Sequence, residues 1–289
     1  MPPEKLLPAE VYYQQYEDPT GEKTIKALDE AGIDKIVLLS LDFGTRFVSD
    51  PPTTIEQQNR EIAEMQKRFP DRFIAFCAVD PQKGKYAVTL IEKAINEWGM
   101  KGIGEFHSAA GFKPNDRICY PIYEFAQEKG VPISIHVGWE PIPPVRNQTV
   151  DPLYLDDLCC DFPDLRICCC HLGSWPYDGG WNERAINMAS WHRNLYLDTA
   201  MWQLQLLEKN SVLYYQVLRK ALDYAPQKVM FGTDTPFTAS YISFKDQIKA
   251  IQEPDRRILE KAGVKFTEEE VYDVLEGNAK RFLGLEVKR

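Results

Sequence analysis

Three polar side chains stand where apolar, strand-like runs stop. They are His136 in PISIHVG, His171 in RICCCHLGSWPY and Asp234 in KVMFGTDTPF. Imidazole nitrogens and carboxylate oxygens ligate divalent ions such as zinc, and both groups carry protons. Each residue also has an ordinary reading. A histidine at a strand end is often a hydrogen-bonded core residue, and an Asp before Thr-Pro often forms a turn. Three such groups on near-successive strands, all at one edge, are more specific than any one. Glu105 and His107 in GIGEFHSAAGF share strand parity and make a fourth candidate. A carboxylate buried at a barrel mouth is costly unless it is paired or bound to a metal; the ordinary alternative is a salt bridge near the surface.

The elements that must position these residues alternate along the chain. Strand-like runs are expected over 34–40, 72–79, 101–106, 132–137, 166–172, 194–200 and 228–234, nearly all separated by a helical pattern. Thr53 or Thr54 suits the cap of the helix TIEQQNREIAEMQKRF. Pro121 suits the first turn, and Gly130 the end, of CYPIYEFAQEKG. Two helical stretches close the chain, near 243–251 and 267–283. Alternation of this kind implies a parallel sheet with right-handed crossovers. Apolar runs suit strands covered on both faces. In a parallel barrel the strand C-termini form the active-site face. Seven strands is one short of a closed (β/α)₈ barrel, and a doubly wound open sheet is the alternative, though no G-x-G-x-x-G turn follows a first strand.

Composition narrows the partners. The 289 residues carry 34 Lys and Arg against 43 Asp and Glu, a net charge of −9. That balance argues against nucleic acid or an anionic membrane surface as the main partner and leaves a small molecule. No apolar stretch approaches the roughly 20 residues of a membrane span, and the first ten residues lack a secretory pattern, so the expectation is a cytoplasmic protein. Five of the seven cysteines crowd into 159–170. The CC and CCC spacings match neither a zinc motif nor a disulfide framework. Cys168, Cys169 and Cys170 read as small apolar core residues of a buried strand. Trp139, Arg146, Trp175, Tyr177 and Trp202 lie on loops after strands, where a planar substrate would be met. His192 falls at the opposite edge and reads as structural, Asp80 as a turn former before Pro81, and Asp198 as ambiguous.

The stretches AGIDKIVLLS, CAVDP, EWGMKGIGEFH, YPIYEFAQEKGVPISIHVG, DFPDLRICCCHLGSW, NLYLDTAMW, VMFGTDTPF and NAKRFLGL follow one another over about residues 24–285. In this order they resemble the amidohydrolase superfamily, in the amidohydrolase-2 branch. That branch includes metal-dependent hydrolases and decarboxylases of aromatic or amino-carboxymuconate acids. The resemblance implies one distorted (β/α)₈ TIM barrel over 1–289, with 1–23 as an atypical N-terminal lead-in. It also implies a divalent metal at the mouth, usually zinc, with manganese or iron as alternatives. It makes His136 a ligand, Asp234 a ligand and general base, and His171 a catalytic residue or second-metal ligand. Glu105 matches the ligand position of relatives with a Gly-Glu signature. A homodimer is the expected assembly.

One family feature has no counterpart. The family's first strand carries His-x-His, whereas the histidines here are 107, 136, 171 and 192. Three readings follow: a chain that starts after that strand, a reduced site of Glu105, His136 and Asp234, or a barrel that has lost catalysis. The leading expectation is hydrolysis of a small, planar or carboxylate-bearing substrate. A metal-activated water would attack, Asp234 would serve as base, and His171 would polarise the carbonyl or shuttle a proton. Non-oxidative decarboxylation and a non-catalytic binding barrel are the alternatives.

Overall fold

Each of the seven apolar runs forms a strand in the computed structural model, which describes residues 18–42, 53–139, 146–174, 180–206 and 211–287. The chain runs α1 (Glu22–Ala31), β1 (Ile36–Leu39), α2 (Ile55–Arg68), β2 (Phe73–Cys77), α3 (Lys85–Asn96), β3 (Gly102–His107) and α4 (Tyr120–Lys129). It continues through β4 (Ile133–His136), α5 (Tyr154–Asp161), β5 (Ile167–Cys169), α6 (Trp181–Trp191), β6 (Leu195–Asp198), α7 (Ser211–Tyr224) and β7 (Val229–Met230). Helices α8 (Phe244–Gln252), α9 (Arg256–Ala262), α10 (Glu268–Tyr272) and α11 (Asn278–Leu283) follow. All strand pairs are parallel and the strands lie in chain order. Among the described residues the sheet ends at β1 and β7, and no helix is long and apolar enough to cross a membrane.

Local signals set the helix ends. Thr54 caps α2: its hydroxyl accepts from the Gln57 N–H at 3.2 Å, and the Gln57 side chain accepts from the Thr54 N–H at 2.8 Å. This reciprocal box satisfies two N–H groups that the first turn leaves open. Pro121 sits in the first turn of α4, and Gly130 ends it with φ 64°, a left-handed conformation that glycine adopts without a Cβ clash. Asp80 caps the turn that begins at Pro81 and accepts from the Gln82 N–H at 2.9 Å.

Alternation along the strands sorts side chains into two layers. Register aligns Ile133, Ile167 and Leu195 in one row, and Ile135, Cys169, Leu197 and Val229 in another. Both rows belong to the main core with the helices. The rows between them face the concave side. There Phe76, Cys168, Cys170, Tyr196 and Met230 meet Phe282 of α11 in a separate buried cluster. Side chains from β2 and β6 can share one cluster only because the sheet curls, so this is a barrel-type sheet. Gly102 permits the closure: a Cβ there would lie 2.4 Å from the Phe76 ring.

The C-terminal segment closes the N-terminal end of the curl. Arg166, just before β5, donates through Nε to the Phe282 carbonyl at 2.6 Å. The fully buried Asn278 donates to the carbonyls of Pro226 and Val229 at 3.0 and 2.9 Å. Three elements depart from the sequence expectation. Strand β5 stops at Cys169 because the backbone turns left-handed at His171. Strand β7 spans only two residues, and the Phe231 N–H turns away to the Val274 carbonyl at 2.8 Å. The expected helix over 267–283 is broken by a π turn at Asp273–Gly277, where a Cβ on Gly277 would lie 2.3 Å from an Asp273 carboxylate oxygen.

Phe282 is 4% exposed and is the α11 side chain that seals the inner cluster. Truncation leaves a cavity between rigid strands, so Phe282→Ala is expected to destabilise the fold by about 3–5 kcal/mol, with Phe282→Leu losing less. Urea unfolding checks this. An alanine variant within about 1 kcal/mol of wild type would show that the cluster collapses without it.

Candidate metal centre

Glu105 faces the concave side because β3 is irregular. Ile103 and Phe106 both belong to the outer core, and the β3–β4 register shifts between them. Strict alternation from Ile103 would send Glu105 out toward the helices. The extra residue turns Glu105 and His107 inward together. Gly104 makes the shift possible: it has φ 150°, and a Cβ there would lie 2.9 Å from Ser134 Cβ. The Glu105 N–H donates to the Ser40 carbonyl at 2.8 Å, which ties the irregular strand back to β1.

His107 is the register partner of His136, and their rings stack with centroids 3.8 Å apart at 12°. His136 Nδ1 lies 2.7 Å from Glu105 Oε1. His171 Nε2 lies 3.0 Å from His136 Nδ1 and 3.4 Å from Glu105 Oε1. Two ring nitrogens and one carboxylate oxygen therefore form a small triangle. Donor atoms of Glu105, His171 and Asp234 lie within 4.8 Å of one another, as do those of Glu105, His107 and His136. Glu105 belongs to both sets. Glu105, His107, His136 and His171 are each under 8% exposed, and Asp234 is partly exposed.

His171 is held by its backbone. Its φ of 58° is left-handed, a conformation that costs a non-glycine residue on the order of 1–3 kcal/mol. The surroundings hold it there. The Asp198 carboxylate accepts from the His171 N–H at 2.9 Å, and the Trp202 indole N–H donates to the His171 carbonyl at 2.7 Å. The ring's Nδ1 faces the Ala200 carbonyl at 3.4 Å, which orients Nε2 toward Glu105 and His136. Asp234 is also left-handed at φ 55°, and its carbonyl accepts from the Thr238 N–H at 3.2 Å.

The electrostatics follow from burial and proximity. Burial alone would raise the Glu105 carboxyl, but the charge of His136 and hydrogen bonds from His136 and His171 hold it well below the usual range. Burial and the neighbouring His136 charge push His107 well down. Burial lowers His171 too, but its hydrogen bond to Glu105 outweighs that and places it at about 9. Burial raises Asp234 to about 6, opposed by the His171 charge.

This donor set fits a divalent ion. Ligand atoms about 2.0–2.2 Å from one ion are themselves about 3 Å apart, which the 2.7, 3.0 and 3.4 Å triangle matches. Imidazole with carboxylate suits zinc, manganese or iron.

The structure brings together Glu105, His107, His136, His171 and Asp234. The described residues expected to meet substrate lie outside this cluster of donor atoms. Trp139 is 47% exposed just beyond His136 and meets Trp181 edge to face at 6.4 Å. Arg146 is exposed, at the start of the turn over 146–150. Trp175 and Tyr177 lie outside the described residues. Trp202, expected at the substrate surface, is 2% exposed, and its indole N–H also reaches the Ser174 carbonyl at 3.1 Å. It braces His171 from beneath. His192 ends α6 at the far edge and pairs with Asp156 at 2.7 Å. Asp198 is the supporting residue the sequence left ambiguous. Its signal was its place at the end of β6, where a side chain reaches the neighbouring turn.

A curled parallel sheet with metal-type ligands at its strand C-termini defines an enzyme-like TIM-barrel site. The chain belongs to the amidohydrolase family, whose model matches residues 34–285. It is 24% identical over 257 residues to 2-amino-3-carboxymuconate-6-semialdehyde decarboxylase of Dictyostelium discoideum, a match covering 79% of this chain and 66% of that protein. The chain thus spans just under two thirds of that relative's length. The 5-carboxyvanillate decarboxylase of Sphingomonas paucimobilis superposes with a TM-score of 0.69 at 18% identity, over 97% of this chain and 88% of that one. A variant of 5-carboxyvanillate decarboxylase from Novosphingobium aromaticivorans, solved with manganese and 3-methoxy-4-hydroxy-5-nitrobenzoic acid, gives 0.68 at 19% identity over 96% and 84%.

Glu105 touches both donor sets, so Glu105→Gln is expected to weaken metal binding by more than the about 10–100-fold typical of outer-shell changes. Elemental analysis after dialysis against defined free metal checks it. Wild-type metal content in the Gln variant would remove Glu105 from the ligand set.

Proposed function

We propose that this chain is a metal-dependent, non-oxidative decarboxylase of a small aromatic or muconate-type acid. The convergence of Glu105, His136, His171 and Asp234 at the strand mouth carries the reading. The relationship to a muconate semialdehyde decarboxylase supports carbon–carbon cleavage over the hydrolysis expected first from sequence. Glu105, His136 and His171 would hold the ion, with Asp234 beside it; the manganese in one structural neighbour supports a divalent metal of that type. Such an ion supplies positive charge that binds anionic oxygen atoms.

In this reading the bond between the carboxyl carbon and its neighbour breaks. The electron pair stays on the neighbouring carbon, CO₂ leaves, and that carbon takes a proton. Asp234 donates the proton: its carboxyl, raised to about 6, holds a proton near neutral pH far more often than a free aspartate does. Asp198 and Trp202 fix the place of His171, which joins the ligand set as a neutral imidazole when the ion replaces the proton it shares with Glu105. Trp139 and Trp181 offer aromatic surface beyond His136 for a planar substrate.

Metal-loaded protein given hydroxybenzoates and muconate-type acids is expected to release CO₂ and, in D₂O, to leave one deuterium at the vacated carbon. Asp234→Asn is expected to lower kcat by about 10²–10⁴. Turnover of amides or lactones, with no CO₂ from any acid, would return the assignment to hydrolysis.

A further inference from the structure

Below the centre lies a second group of potential ligands that the proposed reaction does not use. Cys168 and Cys170 are two residues apart and both point into the curl, whereas Cys169 between them joins the outer core. Both inward thiols are 2% exposed and free of disulfides. Cys168 Sγ donates to Asp198 Oδ2 at 3.4 Å, and the Cys170 thiol is hydrogen-bonded to Cys168. Donor atoms of Cys168, Cys170 and Asp198 all lie within 4.8 Å of one another.

The carboxylate between them is oriented for this. Its Oδ1 accepts from the N–H groups of His171 and Ala200 at 2.9 and 3.0 Å. Its Oδ2 is left facing the thiols. A thiol is a weak donor, so this oxygen of the partly buried carboxylate has a poor partner on its inner side. Simple apolar packing does not call for such an arrangement, and a cation would satisfy it. Met230, the register partner of Asp198, brings a thioether into the same cluster.

We propose that Cys168, Cys170 and Asp198 form a second metal site, separate from the carboxylate–histidine centre, that takes a thiophilic cation such as Zn²⁺ or Cd²⁺. Two thiolates and one carboxylate are a soft donor set, unlike the imidazole–carboxylate set above it. Binding exchanges protons for metal: one divalent ion enters, two S–H bonds become metal–sulfur bonds, and two protons leave to solvent. Through Asp198, which also holds the His171 backbone, the ion touches the support of the upper site.

Cobalt(II) is the probe, since a thiolate-bound ion gives a near-ultraviolet sulfur-to-metal charge-transfer band and an imidazole–carboxylate ion does not. The full chain, stripped by chelator and titrated anaerobically, is expected to develop the band by about two equivalents of Co²⁺, enough to fill both sites, with the intensity of one thiolate-bound ion per chain. Cys170→Ser should roughly halve it and Cys168→Ser/Cys170→Ser should abolish it, while Cys160→Ser, at the exposed cysteine, leaves it intact. Glu105→Gln, which impairs the upper site, should also leave the band intact, so failure of the decarboxylase reading and failure of this one are distinguishable. Wild-type protein without the band at several equivalents overturns the proposal, and that result does not depend on any variant folding. Persistence of the band in the double variant, or its loss in Cys160→Ser, overturns it equally.

Discussion

The buried carboxylate of Glu105 is the constraint on which the site depends. A charge in the mouth of a curled sheet, under 8% exposed, must be paired. Here it is paired twice, to His136 on the next strand and to His171 on the turn after β5. Those contacts hold Glu105 ionised and keep His171 cationic, so each group's charge state depends on the other. The same short contacts bring donor atoms to one point at the spacing of ligands around an ion. Removing the carboxylate would leave stacked and edge-on imidazoles with no shared partner.

The backbone departs from regular geometry where it has to deliver these groups. Strand β3 gains an extra residue, and Gly104 allows the close approach to Ser134. His171 and Asp234 both adopt left-handed conformations that their side chains disfavour. Gly138, at φ 119°, lets the loop after His136 pack against the loop after His171, where a Cβ would lie 2.7 Å from Ser174 Cα. Local strain of this kind persists only when the surroundings over-determine it. Asp198 and Trp202 do this for His171 by taking both its N–H and its carbonyl.

The layers explain why one sheet can carry both a dense core and a polar site. Rows facing the helices are Ile, Leu and Val, with Cys169 filling a position in the row. Rows facing inward change character along the strand, from the Phe282 cluster at one end to the histidines at the other. The cysteines at 168 and 170 lie between these zones. They are small enough for the crowded interior, and unlike alanine they are polarisable and able to ligate.

Much of the fold was determined by sequence alone. The seven strands, their parallel order, the caps at Thr54 and Gly130 and the edge on which His136, His171 and Asp234 stand all follow from period and local chemistry. Such signals are short-range, so neighbouring residues suffice to set them. Glu105 was legible as a candidate but its direction was not, because a one-residue register shift in β3 reverses the facing of everything after it. Trp202 looked like a loop aromatic open to substrate, and only packing turned it beneath His171. The π turn at Asp273–Gly277 and the two-residue β7 were likewise hidden, since both depend on contacts between segments far apart in the chain. The pairing of Glu105 with two imidazoles, and of Cys168 with Asp198, joins side chains 30 or more residues apart in the chain. Sequence supplied the residue types and placed them at one end of the sheet. Their distances, charge states and shared partners were decided by the curl and register of the sheet.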